Sequence, residues 1–115
     1  MPRIESRAMK KIPVCSEQEL KEGFPRSIRW MTREIVVFRL GDRVMAREGS
    51  CKHMGASLTR SGKWTGGRVT CGWHGWQYDM LTGECIGKPE VCLKRYPTEM
   101  SEGKIYVVVD DQPMT

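Results

Sequence analysis

Two short motifs hold both histidines of the chain and two of its five cysteines: Cys51-Lys52-His53 and Cys71-Gly72-Trp73-His74. Seventeen residues (54–70) separate them, and each is followed by a glycine, Gly55 and Gly75. Two thiolates and two neutral imidazoles make a complete ligand set for a metal centre, and two kinds of centre accept it. A [2Fe–2S] cluster takes it with both cysteines on one iron and both histidines on the other. A structural zinc takes all four at one tetrahedral ion. Zinc sites of this composition usually pair cysteine with cysteine and histidine with histidine, on a hairpin and a helix. Here each motif mixes the two in glycine-rich, β-forming surroundings, so the spacing favours the cluster. Imidazole ligation leaves such a cluster less negative than an all-cysteine one and raises its potential to about −150 to +300 mV.

Two loops share one centre only where a rigid scaffold brings them together, and the flanking sequence reads as β. Lys11–Val14 forms a first strand, and Ser16-Glu17-Gln18-Glu19 has the form of a capping box that opens one helical turn. Gly23 and Pro25 end it. Ser27–Trp30 and the β-branched run Ile35–Leu40 follow. A Gly41-Asp42 turn then leads into Arg43–Glu48, where apolar Val44 and Ala46 alternate with neighbours read as polar, which suits a hairpin. Arg68–Cys71, Gln77–Met80 and Glu84–Ile86 are further short strands, with Thr82-Gly83 turning between the last two. Beyond a Gly87-Lys88-Pro89 loop, Leu93–Met100 is expected to pair with Ile105–Asp110. Each cysteine–histidine motif thus falls just after a strand. Many short strands with Gly-rich turns imply an all-β antiparallel sandwich or barrel. Residues 1–10 are expected to form a flexible extension and 11–112 a single domain, with the cluster-binding part at about 49–90.

At 115 residues and 39% hydrophobic content the chain has room for one domain with a small core. A metal cluster tying two loops together would add stability that burial alone does not supply. No apolar run of about 18 residues is present, so no membrane-spanning helix is expected. Arg3, Glu5, Arg7, Lys10 and Lys11 leave the first 15 residues without the apolar stretch of a signal peptide, and the expected compartment is the cytoplasm. An odd count of cysteines fits reduced thiols there better than a disulfide framework. Cys15, Cys85 and Cys92 lie outside the motifs, and the last two flank a turn that would let them approach. The formal charge of +5 comes from basic residues spread through strands and turns, among them Arg26, Arg29, Arg33, Arg39, Arg43 and Arg47. No recognition-helix pattern accompanies them, which argues against nucleic acid. Steering of an acidic redox partner, or plain solvation of exposed strands, accounts for the charge.

Residues 51–58 (Cys-Lys-His-Met-Gly-Ala-Ser-Leu) and 71–79 (Cys-Gly-Trp-His-Gly-Trp-Gln-Tyr-Asp) resemble the two cluster-binding loops of Rieske proteins. The likeness extends to Ile35–Leu40, Leu81-Thr82-Gly83-Glu84 and Tyr96-Pro97, covering nearly the whole chain after residue 10. It implies the Rieske antiparallel β-sandwich, with a small cluster-binding subdomain made by the two loops and a proline loop, here Gly87-Lys88-Pro89-Glu90. It also implies one Rieske-type Cys2His2 [2Fe–2S] cluster held by Cys51, His53, Cys71 and His74.

Respiratory members carry an extra cysteine in each loop, joined as a disulfide; Ala56 and Trp73 stand at those positions, so that bridge cannot form. Trp76 stands where those members often have a serine that donates to a bridging sulfide, and fewer donors lower the potential. Both departures point to the low-potential ferredoxins and oxygenase components. Tyr78 has two expected roles: its hydroxyl aimed at the Cys71 sulfur, or an aromatic packed beneath the second loop. Gly72 stands where many members have proline and is expected to loosen the loop slightly. Lys52 and Lys88 are expected at the rim of the centre, docking an acidic partner or simply solvated. Met54, Trp73 and Trp76 form either an apolar collar or part of the core.

With both histidines assigned, none is left for a mononuclear iron on two histidines and a carboxylate, as in the large oxygenase subunits that carry a similar domain. No glycine pattern for flavin or NAD is present. The expected role is therefore one-electron carriage by a monomer, from an NAD(P)H-dependent flavoprotein reductase to a terminal oxygenase, and not catalysis. A small Rieske-like subunit bound to the large subunit of an assimilatory nitrite reductase is one alternative. A redox- or pH-sensing module, in which the histidine ligands titrate, is another.

Overall fold

The computed structural model describes residues 9–52, 55–72 and 75–110. Its first half holds β1 (Met9–Ser16), a 3₁₀ turn (Glu17–Glu19), β2 (Arg26–Trp30), β3 (Arg33–Leu40) and β4 (Arg43–Glu48). Five short strands follow: β5 (Lys63–Thr65), β6 (Arg68–Thr70), β7 (Gln77–Asp79), β8 (Glu84–Cys85) and β9 (Lys88–Cys92). The chain closes with β10 (Arg95–Tyr96), β11 (Thr98–Ser101) and β12 (Lys104–Asp110). These strands form three antiparallel sheets, in the orders β1-β12-β11, β10-β4-β3-β2 and β5-β6-β7-β8-β9.

The run Ile35-Val36-Val37-Phe38 is apolar at four successive positions, and all four side chains are buried. Only a strand covered on both faces can bury such a run. Ile35 and Val37 enter one core with Val44, Ala46, Tyr96, Ile105, Val107 and Val109. Val36 and Phe38 enter another with Met45, Val69, Tyr78, Met80 and Leu93. The β10-β4-β3-β2 sheet is thus the middle of three layers. Full burial of each of these large apolar side chains stabilises the fold by roughly 1.5–3 kcal/mol. This layering corrects the expectation for β4: Met45 and Arg47 do not face water but are buried, because the five-stranded sheet covers that side.

Several boundaries differ from those expected. β1 starts at Met9, which pairs with Asp110, so the first strand is longer than Lys11–Val14; residues 1–8 lie outside the described residues. The capping box holds a short 3₁₀ turn, with the Ser16 amide donating to Glu19 Oε1 at 3.1 Å. That bond keeps the Glu19 carboxyl below the usual carboxylate range. The expected strand Leu93–Met100 is two strands in two sheets. β10 pairs with β4 (Tyr96 with Ala46) and β11 pairs with β12, with Pro97 between them. Proline has no amide to donate to a ladder, and the chain changes sheets there. The Gly87-Lys88-Pro89 loop is instead the tip of a β8–β9 hairpin, whose second strand begins at Lys88. Across it Cys85 opposes Lys88 and Cys92 opposes Glu84, so Cys85 and Cys92 remain separate thiols, one buried and one exposed.

Candidate metal centre

Both motifs sit in backbone brackets of the same design. In the first loop the Cys51 amide donates to the Ala56 carbonyl (2.8 Å) and the Gly55 amide donates to the Cys51 carbonyl (2.7 Å). In the second, the Cys71 amide donates to the Trp76 carbonyl (2.7 Å) and the Gly75 amide to the Cys71 carbonyl (3.1 Å). Each bracket turns on a glycine in the left-handed region, φ 79° at Gly55 and 76° at Gly75, where a side chain would add strain. Cys51 and Cys71 are each 2% exposed and belong to one buried layer with Val36, Met45, Val69, Tyr78 and Met80. His53, Met54, Trp73 and His74 lie outside the described residues, and so do the expected imidazole ligands and two members of the expected collar.

Tyr78 corrects one expectation. Its hydroxyl lies 3.4 Å from the Cys51 sulfur, in the first loop, and not at Cys71. The Lys52 amide donates to the same oxygen at 3.0 Å. That amide occupies an acceptor site on the phenol and leaves the phenol's own proton for the sulfur. The ring is also fully buried, so the packing role holds as well. Burial, and after it the bond to Cys51, push the hydroxyl above its ordinary value, while the Lys52 amide pulls the other way. Sequence alone points to the wrong cysteine because it does not reveal which loop the β7 face meets.

Gly72 is not a loosened joint. A Cβ there would collide with the Ser61 carbonyl oxygen, so the bare backbone lets the first loop's outgoing turn lie directly on the second loop. That turn is itself fastened: Ser61 Oγ donates to the Ser57 carbonyl (2.7 Å), Ser57 Oγ to Glu34 Oε2 (2.6 Å), and the Trp64 indole to the Leu58 carbonyl (2.8 Å). Ala56 is buried, which leaves its face of the loop closed by packing.

Both rim lysines are exposed, and each has a partner. Lys52 Nζ lies 3.1 Å from Glu48 Oε1, which also accepts the Lys94 amide at 2.6 Å. Lys88 Nζ stands 5.1 Å from the centroid of the Trp76 ring, a cation–π contact. Trp76 is half-buried and packs on the core beside the second loop. The residue that sequence reasoning missed altogether is Arg47, grouped there with the surface cations. It is 5% exposed. Burial lowers its guanidinium below the ordinary value, yet arginine stays protonated in proteins.

Two buried cysteines at the heads of matching brackets, one with a hydroxyl at its sulfur, fit an iron–sulfur centre. Residues 10–97 match the family model of the Rieske [2Fe-2S] domain. The chain belongs to the Rieske family. The Rieske domain is a [2Fe–2S] domain, and that is the cofactor class of this chain. Ferredoxin CarAc of Metapseudomonas resinovorans is 32% identical over 98 residues, a match covering 84% of this chain and 91% of the ferredoxin. Methylxanthine N1-demethylase NdmA of Pseudomonas putida is 32% identical over 111 residues, covering 85% of this chain but only 31% of the demethylase. Among solved structures, the complex of reduced oxygenase and oxidized ferredoxin in carbazole 1,9a-dioxygenase contains a chain that superposes with TM-score 0.77 at 27% identity. That match covers 90% of this Rieske chain and 97% of the other.

Proposed function

We propose that this Rieske chain is a one-electron carrier of an oxygenase system. In this reading Cys51 and Cys71 hold the inner iron of a [2Fe–2S] cluster, and His53 and His74 hold the outer iron. The observation that carries it is the pair of matching brackets that bring two buried cysteines into one layer. When bound, the cluster supplies reversible one-electron chemistry. The chain's own residues do the rest. The two loops and the β8–β9 hairpin exclude water from the sulfur side, and Tyr78 donates to the Cys51 sulfur. Lys88 gives the rim positive charge, while Lys52 is paired there with Glu48. A terminal oxygenase is the proposed acceptor and an NAD(P)H-dependent flavoprotein reductase the proposed donor, with the carrier acting as a cytoplasmic monomer. The relative named ferredoxin CarAc supports this reading, since the match runs along nine-tenths of it. Among the described residues no helix is long and apolar enough to cross a membrane.

The test is composition and spectroscopy of the purified protein. Two irons and two acid-labile sulfides per chain are expected, together with a reduced-state EPR signal carrying nitrogen ligation at one iron. Zinc in place of iron, or an EPR signal of all-cysteine type, overturns the assignment. Tyr78→Phe gives a second, graded check. A hydrogen bond to a charged group contributes roughly 1.5–3 kcal/mol, and only its difference between redox states counts. Voltammetry should therefore find the potential lower by tens of millivolts, on the order expected for a lost sulfur donor.

A further inference from the structure

Arg47 projects from β4 into the interior between the middle sheet and the five-stranded sheet, on the same strand face as Met45. Its guanidinium donates three hydrogen bonds, all to backbone carbonyls: Nε to Met80 (2.9 Å), Nη1 to Leu93 (3.0 Å) and Nη2 to Leu81 (2.6 Å). Among the described residues none of its hydrogen-bond partners is a carboxylate. Gly83 is shaped around it: a Cβ there would stand 2.6 Å from Arg47 Nη1 and 2.7 Å from the Leu93 carbonyl oxygen. A buried charge bonded to carbonyls and not to a carboxylate is costly, even with Asp79 within Coulombic reach, and apolar residues of similar volume usually serve stability as well or better. Its three acceptors therefore matter by where they lie. Met80 and Leu81 directly follow β7, the strand that leaves the second cysteine loop, and Leu93 follows β9. They are the two roots of the β8–β9 hairpin. Arg47 itself lies on the strand that runs into the first loop, four residues before Cys51.

We propose that Arg47 is a positioning residue of the iron–sulfur centre, clamping the hairpin and the exit of the second loop to the strand that carries the first loop, and that its buried charge favours the reduced state. The inference rests on the cluster assignment above. The planar fork reaches three carbonyls at once, which a lysine ammonium on a single-point stem does not match. Reduction makes the cluster one charge more negative, and a buried cation on the strand that leads into the first loop stabilises that state.

Two variants separate fork from charge. Arg47→Met removes both, while Arg47→Lys keeps the charge and loses the fork. Hydrogen exchange read by mass spectrometry on the full cluster-loaded chain should rise tenfold or more at amides 81–93 in both variants. Protein-film voltammetry should find the potential shifted down in Arg47→Met and held near the parent's in Arg47→Lys. Unchanged exchange in Arg47→Lys overturns the clamp, and an unchanged potential in a folded Arg47→Met overturns the charge effect. Where Arg47→Met does not fold, Arg47→Lys alone decides, by fast exchange together with an unshifted potential. A parent protein lacking the cluster would sink the assignment above, while its exchange at 81–93 would still test the clamp.

Discussion

Cys71→Ala and Cys51→Ala are each expected to give protein without the Rieske EPR signal and with less than one iron per chain, whereas Cys85→Ala and Cys92→Ser keep both. The contrast follows from where each sulfur lies. Cys51 and Cys71 head the two brackets and share one buried layer, and in the proposed ligand set removing either takes away half of the thiolates on one iron. Cys85 is as buried as they are and belongs to the same layer, yet it sits on β8, outside both loops. Burial is the main influence raising its thiol above the ordinary value. Its place on β8, across the hairpin from Lys88, keeps it apart from the two loop cysteines. Burial likewise raises Cys15, on β1 in a different sheet. Cys92 is exposed, and its thiol points to the Thr82 carbonyl. Iron analysis and EPR on the four variants check the assignment; loss of the signal in Cys85→Ala would refute it. Metal binding is coupled to folding, so the two loop variants should also melt at lower temperature than the cluster-loaded parent.

Gly72→Ala carries the second large effect. The Ser61 carbonyl occupies the space a Cβ would need, and backbone yields less readily than the end of a side chain. Overpacking of this kind costs about 1–3 kcal/mol. It should also part the two loops, because the contact lies directly between them. Urea denaturation should show a lower midpoint, and a chelator should strip iron several-fold faster than from the parent. Gly55→Ala is the control, since among the described residues no atom lies within 4 Å of its would-be Cβ and the positive φ is what opposes the change. A Gly72→Ala protein as stable and as retentive of iron as the parent would show that the loops do not bear on one another here. The close approach of Gly72 to the Ser61 carbonyl is the backbone contact on which this expectation rests.

Much of this was legible in the residues. The cysteine–histidine spacing identified the family, and the strand–turn pattern from Ile35 to Glu48 gave the hairpin that carries the first loop. What sequence missed has a common cause, which is that short strands take their place from neighbours distant in the chain. Lys63–Thr65 has three residues and no alternation long enough to read, yet it pairs with β6 because Trp64 is held by the Leu58 carbonyl and by Phe38. Pro97 was visible as a residue that cannot donate, but which sheet each side would join was not. Arg47 looked like one more surface cation because an alternating strand ordinarily has a wet face. A third layer of structure removes that face, and nothing local announces it.

The pairing of β4 with β10 has one more consequence. Arg47 opposes Arg95 and Ala46 opposes Tyr96, so the chain leaves the middle sheet at Glu48 and re-enters it at Arg95 beside the point of departure. Everything between, both cysteine loops and the five-stranded sheet, is an insert with adjoining ends. A two-residue turn in its place would leave an ordinary hairpin. The ends of the insert are therefore held by the ladder itself, and the cysteine loops hang from two neighbouring strands of one sheet.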